Sequence, residues 1–255
     1  MSEEEKPVNE QPEFDATQID PNFKILGCLS GDRKAYLASY SAHATCLSRH
    51  TYDLSGDFPS KLVSNLEEEE SIDFAMYTAG AVGSMGPRTI EANTEYEEVI
   101  DFAEKLTVYV QLLELLEPRY AADVSLDFWR IPLGNRPPFI KISKNIALRP
   151  WLFHFFFGEY PAELSFLQLG KTIFIGLPGD FSGELALPLY ESAREKGLNL
   201  VINSFNGGYI GYIIKDQWYD LSKYEARTMS WYGPNNGAYI STVINKIIEK
   251  ITIEE

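Results

Sequence analysis

The stretch AELSFLQLGKTIFIGLPGD, Ala162–Asp180, sets the fold class. Two apolar runs, Ala162 to Leu169 and Thr172 to Gly176, flank Gly170-Lys171, which is a β-hairpin signal. After Leu177-Pro178-Gly179-Asp180 the pattern changes. Ser182 to Lys196 reads as a helix and Leu198 to Asn203 as a further strand. Hairpins alternating with strand–helix–strand steps predict an α/β or α+β protein, with a mixed β-sheet core and covering helices.

Working outward, Lys34 to Tyr40 is rich in β-formers and predicts a strand ending at Ser41-Ala42-His43-Ala44-Thr45. Ser60 to Glu69 reads as a short helix, with Asp57 as its cap and Pro59 in its first turn. Ile72 to Thr78 is apolar enough to be a central strand and runs into the turn Gly80-Ala81-Val82-Gly83-Ser84-Met85-Gly86-Pro87. Asn93 to Leu116 is the clearest helix, with Val99, Phe102, Leu106, Val110 and Leu113 at three- and four-residue steps. Two strands are expected at about 122–132 and 139–147. The aromatic run Trp151 to Phe157, which holds His154, reads as core. Ala238 to Lys250 closes the chain as a helix with Ile240, Ile244 and Ile248 on one stripe.

The chain has 255 residues, 45% hydrophobic and 23% charged, enough for one sizeable core. Its net charge is −15. Such a surface repels phosphate backbones and argues against nucleic-acid binding. Residues 1–20 hold seven acids and one base, so 1–22 are expected to form a disordered or loosely draped acidic extension, with one domain over 23–255. No stretch approaches the roughly 18 apolar residues of a membrane span. MSEEEKPVNE lacks the regions of a signal peptide, which assigns the chain to the cytoplasm by default. Cys28 and Cys46 form no CxxC pattern and say little about redox compartment.

Three polar residues share a placement. His43, Asp180 and Tyr212 each lie beyond an apolar strand among small residues, where sheet proteins gather ligands. Taken singly, each has a plainer reading. Asp180 precedes a helix and fits an N-cap. His43 fits a hydrogen-bonded structural histidine. Tyr212 is one of 15 tyrosines and fits a packing role. The chain has only three histidines, and His50 beside Arg49 reads as solvent-facing. The glycine-rich turn lacks the Lys-Ser/Thr ending of a P-loop.

The order of these segments resembles the neutral/alkaline non-lysosomal ceramidase family. The resemblance rests on Ala42-His43-Ala44-Thr45, Ser55-Gly56-Asp57-Phe58-Pro59, Gly80 to Pro87, Leu177-Pro178-Gly179-Asp180, and Gly211-Tyr212 with Tyr224-Glu225 twelve residues on. It covers roughly residues 25–235. It implies a zinc-dependent hydrolase of an amide bond, with a small-molecule or lipid amide as substrate. His43, Asp180 and Tyr212 fall where the family has zinc ligands, and Tyr224 resembles its oxyanion-stabilising tyrosine. One imidazole, one carboxylate and one phenolate suit zinc, which would polarise the amide carbonyl and activate water. A phenol such as Tyr224 would donate to the oxygen that gains charge.

The sequence departs from the family pattern at three places. The family's upstream His-x-His motif has no counterpart before His43, so the chain resembles the later portion of the catalytic domain. Gly86 stands where the family has its catalytic serine, which makes water the expected nucleophile. Ser84, in place of an aspartate, is expected near the site. Asp180 replaces a glutamate and is one methylene shorter. The alternative is a non-catalytic binding or scaffold subunit. On either reading an uncovered sheet edge is expected, met by a partner chain, by self-association or by residues 1–22.

Overall fold

The computed structural model describes residues 19–88, 92–116, 120–122, 124–143, 146–159 and 162–251. The first sheet is built from β1 (Phe23–Ser30) and β2 (Arg33–Tyr40), a hairpin, and β3 (Ile72–Ala79), which reaches β2 through α1 (Asp57–Glu67) and pairs with it in parallel. α2 (Glu95–Leu115) begins at Thr94, whose side chain accepts the backbone N–H of Glu97. Capping there satisfies a donor that the first helical turn leaves orphaned. Phe58, Leu62 and Leu66 of α1 and Val99, Phe102, Leu106 and Val110 of α2 form one core with Tyr36, Ala38 and Ala75 of the sheet.

A second sheet follows. β4 (Leu126–Pro132) leads to the small hairpin β5 (Lys141–Ser143) and β6 (Ile146–Ala147), then to the short helix α3 (Pro150–Phe157). β7 (Glu163–Leu169) and β8 (Thr172–Gly176) form the expected hairpin. β9 (Asp180–Phe181) and α4 (Gly183–Glu195) carry the chain to β10 (Asn199–Asn203), which lies parallel to β8. The strand order is β10-β8-β7-β4. β11 (Tyr212–Ile213), α5 (Tyr224–Arg227) and α6 (Asn236–Lys250) complete the described chain. The class is α/β with sheets of mixed orientation, as the hairpin and crossover signals predict.

Period-two alternation decides which side chains meet. Ile173 and Ile175 of β8 and Leu164 and Phe166 of β7 pack with Ala186 and Leu189 of α4 and Ile240, Ile244 and Ile248 of α6. Phe174 and Val201 point the other way. With Ile25 and Leu37 they line a groove of about 400 Å³ between the two sheets. The sheets also meet at their strand ends. Ser204 donates its backbone N–H to Ala79 at 2.9 Å, and Thr78 donates its hydroxyl to Asn203 Oδ1 at 2.9 Å. The C-terminal ends of β2, β3, β8 and β10 therefore gather in one place.

Several expectations change. Order begins before Phe23. Residues 1–18 lie outside the described residues, but Asp20 is fully buried and accepts hydrogen bonds from Ser41 at 2.7 Å and Tyr190 at 2.8 Å. Composition reads that acid as part of a solvated tail, whereas its hydroxyl partners and Lys24, 3.3 Å away, make burial tolerable. Asp57 is the first residue of α1 rather than its cap; its carboxylate accepts the N–H of Phe58 and that of Leu47. β3 is an edge strand, with Phe74 and Met76 exposed. Leu113 turns away from the α2 core. Residues 139–147 fold back as β5 and β6 instead of one strand, with Lys144 and Asn145 outside the described residues. The aromatic run on α3 is not core, because only Phe153 is buried there.

Candidate functional site

The site grows from the register of β9 and β11. They pair in parallel with Asp180 opposite Tyr212 and Phe181 opposite Ile213. Asp180 N–H bonds to Gly211 at 3.1 Å and Ser182 N–H to Ile213 at 3.0 Å. Gly211 takes φ +79°, and a Cβ there would strike the carbonyl of Met229, so glycine is needed immediately before Tyr212. The third side chain arrives from β2. His43 N–H bonds to the Met85 carbonyl at 3.0 Å, which ties the end of β2 to the Gly80–Pro87 turn.

These three side chains meet. Tyr212 Oη lies 3.0 Å from His43 Nε2, and Asp180 Oδ1 lies 3.3 Å from the same nitrogen. Asp180 is 2% exposed, and its Oδ2 accepts the hydroxyl of Tyr209 at 2.7 Å. His43 and Tyr212 line a cleft of about 520 Å³ whose walls include Ser84, Gly86, Glu184 and Glu225, with Asp180 buried behind them. Tyr224 is exposed, with its ring 6.4 Å from that of Tyr212 and edge-on to it. Ser84 lines the cleft, but its Oγ accepts the N–H of Gly183 at 3.0 Å and so holds the start of α4.

Electrostatics divides the roles. Burial pushes the Asp180 carboxyl up to about 6, against the Tyr209 hydrogen bond that favours the charged form. Burial also lowers the His43 imidazole from its ordinary value, with Glu225 pulling the other way. The Tyr212 phenol is held above its usual range by burial and then by Asp180 and Glu225. Near pH 7 this gives an ionised carboxylate, a neutral imidazole and a neutral phenol. Nε2 has either a lone pair or a proton. With a lone pair it accepts a hydrogen bond from the Tyr212 hydroxyl and faces Asp180 Oδ1 without a donor between them. With a proton it serves Asp180, and Tyr212 must donate elsewhere. A cation between the three atoms removes the conflict.

Two solved structures share this architecture. One is described as neutral ceramidase from Pseudomonas aeruginosa, with a TM-score of 0.74 and 12% identity, covering 96% of this chain and 49% of that one. The other is described as a ceramidase complexed with C2, with a TM-score of 0.70 and 12% identity, covering 96% of this chain and 51% of that one. The fold is ceramidase-like. This chain spans about half the length of those ceramidase chains. No family model and no curated protein matches the sequence.

The spacing of the donors can be set against the zinc that the sequence resemblance implies. Ligands held at roughly 2.0–2.1 Å around a tetrahedral zinc lie about 3.3 Å apart. The separations at His43 Nε2 are 3.0 and 3.3 Å. Among the described residues no group of three or more His, Cys, Asp and Glu side chains is placed to hold a metal; the third donor here is a phenol.

Three neighbours escape a reading of the sequence. Tyr209 sits three residues before Tyr212 in the same glycine-rich loop, and nothing but that spacing marks it. Glu184 is buried on the first turn of α4 and accepts the indole N–H of Trp218 at 2.6 Å, where a helix-start acid would ordinarily be solvated. Phe205, at φ +61°, sets its ring 6.2 Å from those of both His43 and Tyr209.

Gly83 offers a test of how tightly the site is held. A Cβ there would run into the carbonyl of Asp180 and come within 2.9 Å of the Phe181 carbonyl carbon. Gly83→Ala is expected to cost about 1–3 kcal/mol, as overpacking against backbone does. At Gly86 a Cβ would meet nothing nearer than Thr45 Oγ1 at 4.0 Å, so Gly86→Ala is expected to be nearly neutral. Urea denaturation of both variants separates them; equal midpoints would show that the turn yields.

Proposed function

We propose that this chain forms a ceramidase-like metal-dependent hydrolase centre acting on an amide bond in a small molecule or lipid, with His43, Asp180 and Tyr212 as the residues that hold zinc. The observation that carries the reading is the approach of Asp180 on β9 and Tyr212 on β11 to His43 Nε2, just past the end of β2, at 3.3 and 3.0 Å, separations that zinc ligands keep. When bound, the ion would supply Lewis acidity toward the amide carbonyl and an acidified water.

The remaining work falls to the chain. Tyr209 fixes Asp180 Oδ2 and thereby aims Oδ1 toward His43. The Met85 carbonyl fixes the backbone at His43. Tyr224, edge-on to Tyr212, is suited to donate its hydroxyl to the oxygen that gains negative charge. Gly86 presents no side-chain nucleophile, which leaves that part to water.

Zinc content after saturation and dialysis tests the proposal. The wild-type protein should retain about one zinc per chain. His43→Ala should weaken binding by more than the roughly 10–100-fold seen when a group merely touching a ligand is removed. Equal zinc in both proteins would remove His43 from the site and leave a binding or scaffold role as the better account.

A further inference from the structure

The sequence from Phe128 to Gly158 stands apart in charge. It contains Arg130, Arg136, Lys141, Lys144 and Arg149 and no acid, in a chain of net charge −15. Arg130 pairs with Glu163 and Lys141 with Asp220. Arg136 and Arg149 are exposed and have no carboxylate partner among the described residues.

The same segment presents bare aromatic rings. α3 starts at Arg149 with Pro150 in its first turn and stops at Gly158, φ +79°. One ring, Phe153, is buried against Trp231 at 5.5 Å and Tyr232 at 6.4 Å. The others project outward: Trp151 is 65% exposed, Phe155 76% and Phe156 66%. The neighbouring β5–β6 hairpin adds exposed Ile142 and Ile146. Leu148 N–H bonds to Ile140 and closes the base of this hairpin two residues before α3, and Phe139 N–H bonds to Trp231, whose ring packs on Phe153. With Phe153 buried and Phe157 stacked on Trp231, the helix leaves Trp151, Phe155 and Phe156 as an apolar surface without a partner among the described residues.

We infer that α3 and the β5–β6 hairpin dock this protein on an anionic lipid surface. Aromatic rings settle at the headgroup boundary, where an apolar body and a polar surrounding coexist. Exposed arginine beside them matches anionic headgroups and opposes the repulsion such a surface exerts on an acidic protein. Among the described residues no helix is long and apolar enough to cross a membrane. A chain of ring contacts links the docking face to Asp180. Phe157 lies 6.1 Å from Trp231, Trp231 lies 5.4 Å from Tyr209, and Tyr209 holds Asp180. The docking needs neither metal nor turnover, so its test does not depend on the hydrolase reading.

The test is flotation of metal-free protein with phosphatidylcholine vesicles, with and without phosphatidylserine, alongside light scattering of the protein alone. Wild-type protein should float with the anionic vesicles and lose affinity as salt rises. Trp151→Ser/Phe155→Ser/Phe156→Ser should weaken binding at least about 100-fold, since three rings leave the interface. Arg149→Glu should weaken it roughly five- to tenfold. All the altered positions are exposed, so an unchanged melting temperature should show the fold intact. Three results would overturn the inference: no flotation with anionic vesicles, wild-type flotation of the triple variant, or equal flotation on neutral vesicles. So would a dimer that the triple substitution dissociates in the absence of any vesicle binding, which would make the patch an interface between copies.

Discussion

Asp180→Asn is expected to stabilise the metal-free protein at pH 7 by about 2–3 kcal/mol while abolishing its zinc binding. The carboxyl is 2% exposed, and burial lifts it from 3.8 to about 6. A rise of that size corresponds to roughly 3 kcal/mol spent keeping the group charged near neutrality. The direction with pH follows from proton counting. Between 3.8 and about 6 the folded protein holds a proton that the unfolded chain has released. Stability therefore falls as pH rises through that window, and the full penalty stands above it. The neutral amide escapes this penalty and can still accept the Tyr209 hydroxyl. Urea denaturation in the presence of chelator should show variant and wild type nearly equal at pH 4 and well separated at pH 7. A variant less stable than wild type at pH 7 would mean that the His43 contact stabilises the charge more than burial penalises it.

Asp20→Ala is expected to have the opposite effect, a loss of about 3 kcal/mol or more. Asp20 has no exposed surface and joins three parts of the molecule. Its Oδ2 accepts from Ser41 at the end of β2 and from Tyr190 on α4, and it pairs with Lys24 on β1. Removing it strands two hydroxyls and a partly buried ammonium. Burial works against the charged carboxyl, but Lys24, Ser41 and Tyr190 outweigh it and hold the group below its usual value. A depressed carboxyl contributes stability that is present above the ordinary value and is lost as pH falls through the folded one. Wild type and variant should therefore differ most near neutrality and converge in acid. Asp20→Asn, which keeps an acceptor, should lose less. Urea midpoints across pH 3–7 measure all three proteins.

The parts of this molecule that were legible in its sequence are those set by local periodicity. The β7–β8 hairpin, the α4 crossover and the Ile240/Ile244/Ile248 stripe are repeats of two or of three to four residues, and they folded as read. His43, Asp180 and Tyr212 stood out because each follows an apolar strand, and strand ends share a crevice. What local patterns miss is the partner across the fold. Asp20 sits in an acidic tail by composition, and two of the groups that make its burial tolerable, Ser41 and Tyr190, lie far along the chain. Tyr209 is one of 15 tyrosines, and its role depends on Asp180 lying opposite β11. α3 misled for another reason. A helix that is apolar all round carries no stripe to say which face is inside, and the usual inference is burial. Here it sits at the periphery, with Phe153 buried and Phe157 stacked on Trp231.

The account stands on one cation shared by His43, Asp180 and Tyr212, and anomalous scattering at the zinc edge from crystals grown with zinc addresses this directly. The predicted result is a single strong peak between His43 Nε2, Asp180 Oδ1 and Tyr212 Oη, at roughly 2.0–2.2 Å from each. A map with no peak there, from crystals whose solution form has bound zinc, would place the metal elsewhere and contradict the proposed site.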